Sequence, residues 1–561
     1  MCYKGLPIYF SRSVELNYEP RCGRDTNYME VRRKYIFGLL AIGMALFFFN
    51  LGGRDLWEPD ETRYAVIARE MKETGSWILP HFNGEIYSDK PPLFFWLVNL
   101  STFLLNENTS FSNRLPSALA GLGTVLLTFL FGSKLFNPRV GLFSSLILAT
   151  CVIFPQISRW MMLDSLFTLL FLLTLYHFYV GYGGEGRRCK YYLLAGLFMG
   201  LGVLTKGPGA YLAIPIFLVF SLFQKDLKKF WNRDLLWSFL ISLGVIFAWL
   251  IPALWIGGGD FGKEILSYQI IGRLAGKGKY SHPNPFYFYF IRFPLEFFPW
   301  IVFLPSAFIS GLREGRVKRK EFLFLFIWFI LIFLFFTLSK GKKDNYILPL
   351  YPAAAMFVGW LWDSKISSPA PGKETINGLI LLIFLFLIAF VLFLSGFPQE
   401  LYPDFQPYTI LAVSVIFYLL VGSILCLLLF FKKKEGVSFV ILVIFFVFLH
   451  LHLSYAIPLK LNPQRSMRAF SERMVKRMEK GDDLKICLLN PSGLIYYTQR
   501  TYIEDIRRQD RFFEILHSPQ RVFIVINGKA FDFLKRELNI EINPIEQVRE
   551  GSWNYVLISN H

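Results

Sequence analysis

The run FLFLFIWFILIFLFFTL, residues 322–338, holds a single polar side chain, and the run LILLIFLFLIAFVLFL, residues 379–394, holds none. Each run approaches the roughly 20 residues that a helix rising about 1.5 Å per residue needs to cross a bilayer core about 30 Å thick. The chain of 561 residues is 54% hydrophobic and 18% charged, whereas soluble domains carry about 25% charged residues. The sequence therefore predicts an all-α polytopic membrane protein.

Thirteen apolar segments are spaced along the chain. They cover residues 35–51, 114–135, 139–157, 161–180, 191–206, 208–223, 235–256, 296–312, 321–338, 345–362, 376–396, 408–431 and 437–455. A further segment, residues 93–105, is short and aromatic, which suits an amphipathic helix in the membrane interface. If it does not span, the basic loops at 32–34, 187–190, 225–233, 313–320 and 432–434 share one side, as cytoplasmic loops do. We therefore expect thirteen spans, with the N-terminus inside and the C-terminus outside.

The polar ends of the chain complete this organisation. Residues 1–34 are expected to form a cytoplasmic segment without a cleavable signal, and residues 35–455 a transmembrane domain. Residues 456–561 contain alternating runs at 484–489, 521–526 and 554–558 with a helical pattern between them. This pattern predicts a small α/β domain on the outer face. It contains no GxGxxG or GxxxxGK[ST] motif, so nucleotide binding is not indicated.

Charge and cysteine content narrow the range of partners. The net charge is +18, but the basic residues cluster in short loops between spans, which favours membrane lipids rather than nucleic acid as the partner. The six cysteines form no CxxC pair. They indicate neither a disulfide framework nor a zinc site.

The first outer loop, residues 54–92, concentrates charged side chains beside the membrane. Asp60 and Glu61 follow a proline at a predicted helix start, where acidic residues are favoured, and simple capping is the alternative for Glu61. Asp60 shares the loop with two cations, Arg63 and Lys90, and with Asp89. An acid among cations suits a phosphate-bearing substrate together with a general base or metal ligand. Snorkelling to lipid phosphates is the alternative for Lys90.

Further charged residues lie at the outer ends of later spans. Asp164 begins an otherwise apolar span, where an ionised carboxylate is costly and therefore functional or paired; Arg159 is its nearest candidate partner in sequence. The segment SKGKKDNY, residues 339–346, places Lys340 and Lys342 on the outer side, against the usual bias of basic residues. This segment could recognise a phosphate or anchor the chain in the membrane interface. The same two alternatives apply, with less support, to Lys206.

The long outer loop, residues 257–292, carries Arg273, a single His282 and the aromatic run FYFYF at 286–290. Alternating aromatic side chains suit an interfacial helix or a groove for an isoprenoid tail. His282 is a candidate metal ligand on its own in this loop, and structural packing is the alternative.

Taken in order, these motifs resemble the PMT-like glycosyltransferases of the GT-C superfamily, most nearly the bacterial lipid A 4-amino-4-deoxy-L-arabinose transferases. The resemblance rests on PDETRY at 59–64, YSDKPP at 87–92, LDS at 163–165, LTKGP at 204–208, HPNPFYFY at 282–289, PW at 299–300, KGK at 340–342 and YILP at 346–349. It runs over most of residues 50–360.

The resemblance implies a GT-C fold with about thirteen transmembrane helices, juxtamembrane amphipathic helices and a periplasmic C-terminal domain, placed in the bacterial inner membrane. It implies a polyprenyl-phosphate (undecaprenyl-phosphate) sugar donor and lipid A or another glycan or lipid as acceptor. By position, Asp60 and Asp164 correspond to catalytic acids. Carrier-phosphate ligands by position or charge are Arg63, Lys90, Tyr346, Lys342 and Lys340, with Lys343 as the alternative to Lys342. Candidate substrate-binding residues are Tyr87, Glu61, Lys206 and Arg273.

A divalent metal (zinc, magnesium or manganese) is a further expectation from the resemblance, with Asp89 and His282 as candidate ligands. Asp89 stands where the arabinose-transferring members carry a glutamate. The stretch QIIGR, residues 269–273, lacks a histidine that those enzymes often place there. Both departures bear on the metal and on the identity of the sugar.

Two mechanistic roles remain open for the acids. Asp60, with Asp164, acts as a general base on an acceptor hydroxyl, or both acids position an acceptor phosphate that is already ionised. Two other functions compete. A protein O-mannosyltransferase would share the carrier chemistry but use Ser or Thr acceptors. A lipid or sugar transporter would keep its charges near the membrane midplane and have matching halves, whereas here the charges gather at one face.

Overall fold

The fold is described from a computed structural model that covers residues 24–184, 188–265, 283–316, 319–367, 373–396, 408–537, 544–550 and 553–561. The predicted site residues Arg273 and His282 lie outside these described residues.

Helices dominate the described residues from 24 to 465. They are Arg24–Phe48, Asp60–Thr74, Leu93–Leu105, Ser110–Leu135, Pro138–Thr150, Ile153–Ser158, Leu163–Tyr182, Arg188–Lys206, Ala213–Phe223, Leu227–Phe230, Arg233–Lys263, Phe288–Glu296, Leu304–Arg313, Lys320–Leu338, Tyr351–Ile366, Lys373–Leu394, Thr409–Phe431 and Glu435–Arg465. Short 3-10 turns lie at Pro208–Leu212, Trp300–Phe303 and Asp344–Leu350. The first begins at a proline, the second follows Pro299 and the third contains Pro349, and proline removes a helical hydrogen bond.

Seven of the described helices are long and apolar enough to cross a membrane, and eight if the bent pair Phe288–Glu296 and Trp300–Arg313 counts as one span. The seven are Ser110–Leu135, Leu163–Tyr182, Arg233–Lys263, Lys320–Leu338, Lys373–Leu394, Thr409–Phe431 and Glu435–Arg465. The chain is therefore a multi-pass membrane protein, as the apolar runs predicted. The Leu93–Leu105 helix has 13 residues, about 20 Å at 1.5 Å per residue, and is shorter than the hydrocarbon core.

Burial separates central helices from lipid-facing ones. The apolar windows of Ser110–Leu135 and Leu163–Tyr182 are each 72% buried within the protein, whereas that of Arg233–Lys263 is 11% buried. Small residues allow the central helices to approach closely: a Cβ at Gly359 would lie 2.8 Å from the backbone nitrogen of Ser144. Membrane helices pack through such small residues because lipid supplies no hydrophobic drive between them. The helices around residues 110–182 therefore form the frame that carries the site.

A five-stranded sheet lies near the C-terminus. Its order is Glu504–Asp505, Asp483–Cys487, Val522–Asn527, Trp553–Ser559 and Glu546–Glu550. The first three strands are parallel and the last two pair antiparallel. The accompanying helices are Arg468–Arg477, Ser492–Tyr497, Gln509–Leu516 and Gly528–Glu537. Val522–Asn527 is central and has five fully buried residues, as expected of a strand covered on both faces.

The first outer loop folds into a helix, a small hairpin and a second helix. Asp60–Thr74 ends at Gly75, whose φ of 73° is the left-handed conformation that glycine adopts without strain. The strands His81–Phe82 and Glu85–Ile86 pair through Asn83 and Gly84, both at positive φ. An Asn-Gly pair is the preferred connection for such a tight hairpin. The loop is therefore an ordered platform beside the membrane helices.

This platform is tied to the C-terminal sheet region through the helix Ser492–Tyr497. The Glu58 carboxylate accepts from the backbone N–H of Gly493 at the start of that helix. The Arg69 guanidinium donates to the carbonyl of Ile495, at 3.0 Å, near its end. The Arg69 cation near the C-terminal end of this helix complements the helix dipole. The helix Ser492–Tyr497 of the C-terminal region thus contacts the platform near both of its ends.

Candidate active site

The helix Asp60–Thr74 presents its first turn to the site. Asp60 and Arg63 form an ion pair one turn apart, and each side chain is 19% exposed. Acidic residues are favoured in a first turn because they complement the helix dipole. The predicted pairing of an acid with a cation in this loop is therefore present in the structure.

The neighbouring Glu61 points the opposite way, into the protein. It is 1% exposed and accepts from Arg54 Nη2 and Arg114 Nε, both at 2.8 Å. The backbone N–H groups of Trp57 and Met161 also donate to it, at 3.1 and 3.0 Å. Burial alone would raise the pKa of Glu61, but Arg114 and Arg54 outweigh it and hold the pKa at about 2. The Glu61 carboxylate is thus engaged by buried donors, and its binding to substrate stays a prediction.

Asp164 lies in the first turn of the helix Leu163–Tyr182 and is 3% exposed. One carboxylate oxygen pairs with the Lys206 ammonium, and the other accepts from Asn345 Nδ2 at 2.8 Å. Arg159, the partner considered from the sequence, instead donates to the carbonyl of Leu46 at 2.8 Å. The buried carboxylate is paired, as its position in an apolar helix requires, but by residues from distant segments.

The segment Lys343–Tyr346 joins the two acids. Lys343 Nζ lies 3.9 Å from Asp60 Oδ2, and Asn345 contacts Asp164. The Tyr346 ring lies under the Lys206 ammonium, 4.7 Å from ring centroid to nitrogen. Asp60, Arg63, Asp164, Lys206, Lys343 and Tyr346 are therefore brought together from four separate stretches of chain. The sequence placed these stretches on one face, and the structure connects them.

The outer bent helix fixes this joining segment. Tyr289 Oη donates to the Lys343 carbonyl at 2.9 Å. Arg292 forms a two-point ion pair with Asp344, the geometry in which arginine binds a carboxylate most firmly. The backbone of Lys343 and Asp344 is thus held while the Lys343 ammonium reaches across to Asp60.

The closing residues of the platform lie on the other side of Arg63. Burial opposes the charge of Arg63, but Tyr87, Tyr64, Asp60 and Asp89 raise its pKa above the ordinary value. Asp89 is half-buried, and its backbone carbonyl accepts from Lys90 Nζ at 3.2 Å. Tyr87 is buried, with its ring edge-on to Phe95. Arg63 therefore lies within electrostatic reach of both the start and the end of the first outer loop.

The two predicted phosphate-binding lysines of the KGK stretch do not join Asp60. Lys340 is exposed. Lys342 is 3% exposed, and its ammonium donates to the carbonyls of Asn284, at 3.1 Å, and Ser339. The next residue, Lys343, takes the place beside Asp60 that the sequence reading gave chiefly to Lys342. Lys342 and Lys343 are neighbours in an irregular segment, and their side chains point in different directions. The composition of the segment does not reveal which of the two lysines faces Asp60.

The acidic residues do not fit a metal centre in the part of the chain described. Among those residues, which exclude His282, no group of three His, Cys, Asp or Glu side chains could hold a metal ion. Asp60 is paired with Arg63, and Asp89 also interacts with that guanidinium. Both carboxylates therefore have the Arg63 guanidinium as a cationic neighbour.

Comparison with known proteins bears on the origin of this site. The profile of a family described as dolichyl-phosphate-mannose-protein mannosyltransferase matches residues 89–256. An undecaprenyl phosphate-alpha-4-amino-4-deoxy-L-arabinose arabinosyl transferase of Shewanella sediminis is 31% identical over 389 residues, 67% of this chain and 69% of that protein. This chain belongs to that arabinosyl transferase family. The family resemblance inferred from the short motifs is thereby confirmed.

Other members of the arabinosyl transferase family match over a shorter share. The one from Edwardsiella ictaluri is 33% identical over 356 residues, and the match covers 62% of each chain. The match to the Aeromonas hydrophila member covers 64% of that protein's length. The chain thus matches somewhat less than two thirds of these two relatives. The crystal structure of ArnT from Cupriavidus metallidurans bound to undecaprenyl phosphate covers 94% of this chain and 98% of its own, with a TM-score of 0.79 at 19% identity. That likeness establishes the fold.

Three residues of the site were either missed or given little weight in the sequence analysis. Arg114 is fully buried within a helix and binds the Glu61 carboxylate. An arginine at the end of an apolar segment is the sequence feature that could have identified it. Asn345 carries no charge and gave no signal. Lys343 was considered only beside Lys342.

Proposed function

We propose that this protein is a glycosyltransferase that moves 4-amino-4-deoxy-L-arabinose, or a related sugar, from polyprenyl (undecaprenyl) phosphate to lipid A or a related lipid. The observation that carries the proposal is the convergence of Asp60 and Asp164 on one cluster with Arg63, Lys206 and Lys343. Two carboxylates set among cations suit a reaction in which one phosphate leaves and another group attacks.

In the proposed reaction, an oxygen of the acceptor attacks the anomeric carbon of the sugar. The bond from that carbon to the carrier phosphate oxygen breaks, and polyprenyl phosphate leaves with the electron pair. A direct displacement of this kind inverts the anomeric centre. Asp60 accepts the acceptor proton when the acceptor is a hydroxyl, and orients the acceptor when it is an ionised phosphate.

The cations act mainly on the leaving group. Arg63 lies beside Asp60 and Lys90 closes the same loop, so both are assigned to the carrier phosphate. Tyr346 adds a phenol from the joining segment. Charge builds on the leaving phosphate as the bond breaks, so donors placed in advance stabilise the transition state more than the ground state.

Lys206 is assigned a different role from the one expected. Its ammonium pairs with Asp164 and lies over Tyr346. It therefore positions an acid and a phosphate ligand at once, in addition to any contact with substrate. Asn345 holds the second oxygen of Asp164, which leaves that carboxylate with one orientation.

The finer arrangement in the membrane is part of the same proposal. We assign thirteen spans, a cytoplasmic segment at 1–34, a transmembrane domain at 35–455 and a periplasmic α/β domain at 456–561, in the bacterial inner membrane. The contacts of Glu58 and Arg69 with the helix Ser492–Tyr497 support placing the site and the C-terminal domain on one face. Cysteines introduced at Lys476 and at Lys433 test sidedness. Only the first should react with a membrane-impermeant maleimide in intact spheroplasts.

A divalent metal, with Asp89 and His282 as ligands, stays a prediction from the resemblance. The test is turnover of purified protein after dialysis against EDTA and after re-addition of zinc, magnesium or manganese. Retained turnover in EDTA removes the metal from the proposal.

The sugar and the acceptor are tested together in a bacterial host that lacks its own lipid A aminoarabinose transferase but makes the donor. Expression of this chain should add one pentosamine to lipid A, read by mass spectrometry. Expression of Asp60→Asn is the matched control and should add none. Unmodified lipid A in both strains would contradict the proposed acceptor.

The mannosyltransferase profile over residues 89–256 favours a second candidate, transfer to protein Ser or Thr hydroxyls. The two candidates share the carrier chemistry and differ in the acceptor. Purified protein incubated with radiolabelled carrier-linked sugar, lipid A and a Ser/Thr-containing peptide separates them. The label moves from the carrier to lipid A, resolved from the carrier by chromatography, in one case and to the peptide in the other.

A further inference from the structure

A second cation-lined cavity lies beside the proposed active site. Its volume is about 530 Å³, and it opens between residues 283–286 and residues 337–342, at the outer end of the helix Lys320–Leu338. Two of the residues that line it are lysines, Lys340 and Lys342, and none of the described lining residues is acidic. The cavity therefore carries a local positive charge.

Lys342 gives this cavity its most unusual feature. Lys342 is 3% exposed, and among the described residues its ammonium donates to two carbonyls, those of Asn284 and Ser339. Among the residues the structure describes, it pairs with no carboxylate. A buried charge normally has a counter-ion, because neutral partners only partly replace its lost hydration. Burial accordingly lowers the pKa of Lys342.

The rest of the lining suits an amphiphilic anion. Thr337 is 7% exposed, and its hydroxyl has no hydrogen-bond partner in the described part of the chain. Lys340 is exposed at the rim. Phe286 and Leu338 also line the cavity and are 71% and 81% exposed. Donors inside and large apolar side chains at the rim match a phosphate attached to a lipid.

The cavity is continuous in sequence with the joining segment. Lys342 faces the cavity, and the next residue, Lys343, reaches Asp60. Asn345 then contacts Asp164. The cavity and the two acids are thus connected through residues 342–345, with Lys342 lining the cavity and Lys343 beside Asp60. The carrier phosphate is assigned to Arg63 and Lys90, so the cavity is available to the other substrate.

We propose that this cavity binds a phosphate group of the acceptor lipid. Lys342 and Lys340 supply the charge, Thr337 supplies a hydroxyl, and the lipid chains extend along Phe286 and Leu338. This assignment rests on the proposed function, since it names the group by which the acceptor is recognised. It also explains why a lysine is retained in a buried position without a carboxylate.

Binding of lipid A to the purified protein in zwitterionic nanodiscs tests the assignment without turnover. The probes are phosphorylated lipid A and the same lipid after phosphatase treatment. The wild-type protein should bind the phosphorylated form about tenfold more tightly or better, because a charge-assisted contact to phosphate is lost in the other. In Lys342→Met and Lys340→Gln the two forms should bind nearly equally.

Several controls separate the outcomes. Lys342→Met removes a buried charge and keeps most of the volume, so it should fold, and Lys340→Gln changes an exposed side chain. Lys476→Gln, an exposed lysine elsewhere, should keep the wild-type preference. Full phosphate preference in both cavity variants would overturn the assignment. Displacement of the lipid by millimolar inorganic phosphate would overturn it in favour of a free-phosphate site. Preserved binding without any sugar transfer would instead contradict the proposed function alone.

Discussion

Replacement of Arg114 by methionine tests whether the buried charge cluster holds the catalytic platform. Arg114 is fully buried, binds both oxygens of Glu61 and donates to the carbonyls of Leu51 and Asp55 at 3.0 and 2.7 Å. Removing one partner of a buried pair typically costs about 3–5 kcal/mol. Arg54 still neutralises Glu61, so we expect the lower end, about 3 kcal/mol, including the carbonyls left without donors.

The assay is denaturant unfolding in mixed micelles, comparing free energies at equal slope. The matched control is Arg468→Met, because the Arg468 side chain is 58% exposed and its pair with Asp55 spans 3.3 Å. An exposed pair contributes about 0–1 kcal/mol, so this variant should unfold close to wild type. Arg114→Lys keeps the charge but loses the two-point geometry and should fall between them. A free energy for Arg114→Met within about 0.5 kcal/mol of wild type would refute the reasoning.

Three further predictions follow from individual contacts. Burial raises the pKa of Glu58 to about 8, although hydrogen bonds from Gly493 and Ser492 lower it. The folded protein therefore keeps the Glu58 proton over a pH range in which the unfolded chain has lost it. The contribution of Glu58 to folding stability is lost as the pH rises from about 5 through 8. Thermal midpoints at pH 6 and pH 9 should differ less in Glu58→Gln than in wild type. Lys206→Met should lower turnover by about tenfold or more while donor binding changes less, since it frees Asp164 from its cation; equal loss of binding and turnover would point to a carrier contact. Asn345→Ala should lower turnover by about tenfold or more, since a lost hydrogen bond to a charged group costs about 1.5 kcal/mol or more. Asn345→Asp should lower it further by placing two carboxylates together.

Much of the fold follows from the sequence for a physical reason. Long apolar runs have no stable alternative to membrane helices, so the helix Lys320–Leu338 is readable without a structure. The strand Val522–Asn527 likewise coincides with the alternating run at 521–526. The helices Leu93–Leu105 and Pro138–Thr150 both have 13 residues, so length alone does not distinguish an interfacial helix from a span. The number of spans that the chain makes is a finer matter that length and hydropathy leave as a prediction.

The candidate site was less readable because its residues meet only in three dimensions. Asp60, Arg63 and Asp164 were identified from charge in unexpected places. The sequence does not separate Glu61 from its neighbour Asp60, which has the same chemistry, because only the helical rotation of about 100° per residue sends the two carboxylates in different directions.

Partner choice was equally hidden from the sequence. Asp164 was matched with the nearest cation, Arg159, whereas its partners lie 42 and 181 positions away. Local spacing does not encode such pairings, because they depend on how the membrane helices pack.

The central claim is that Asp60 and Asp164 together serve one sugar-transfer reaction from a polyprenyl phosphate carrier. The most direct measurement is the release of free polyprenyl phosphate from purified protein given carrier-linked sugar and lipid A, in wild type, Asp60→Asn, Asp164→Asn and the double variant. We predict release by wild type only. We also predict that the double variant is no slower than the slower single variant, because residues that act as a unit are not additive. Wild-type release from both single variants would contradict the account.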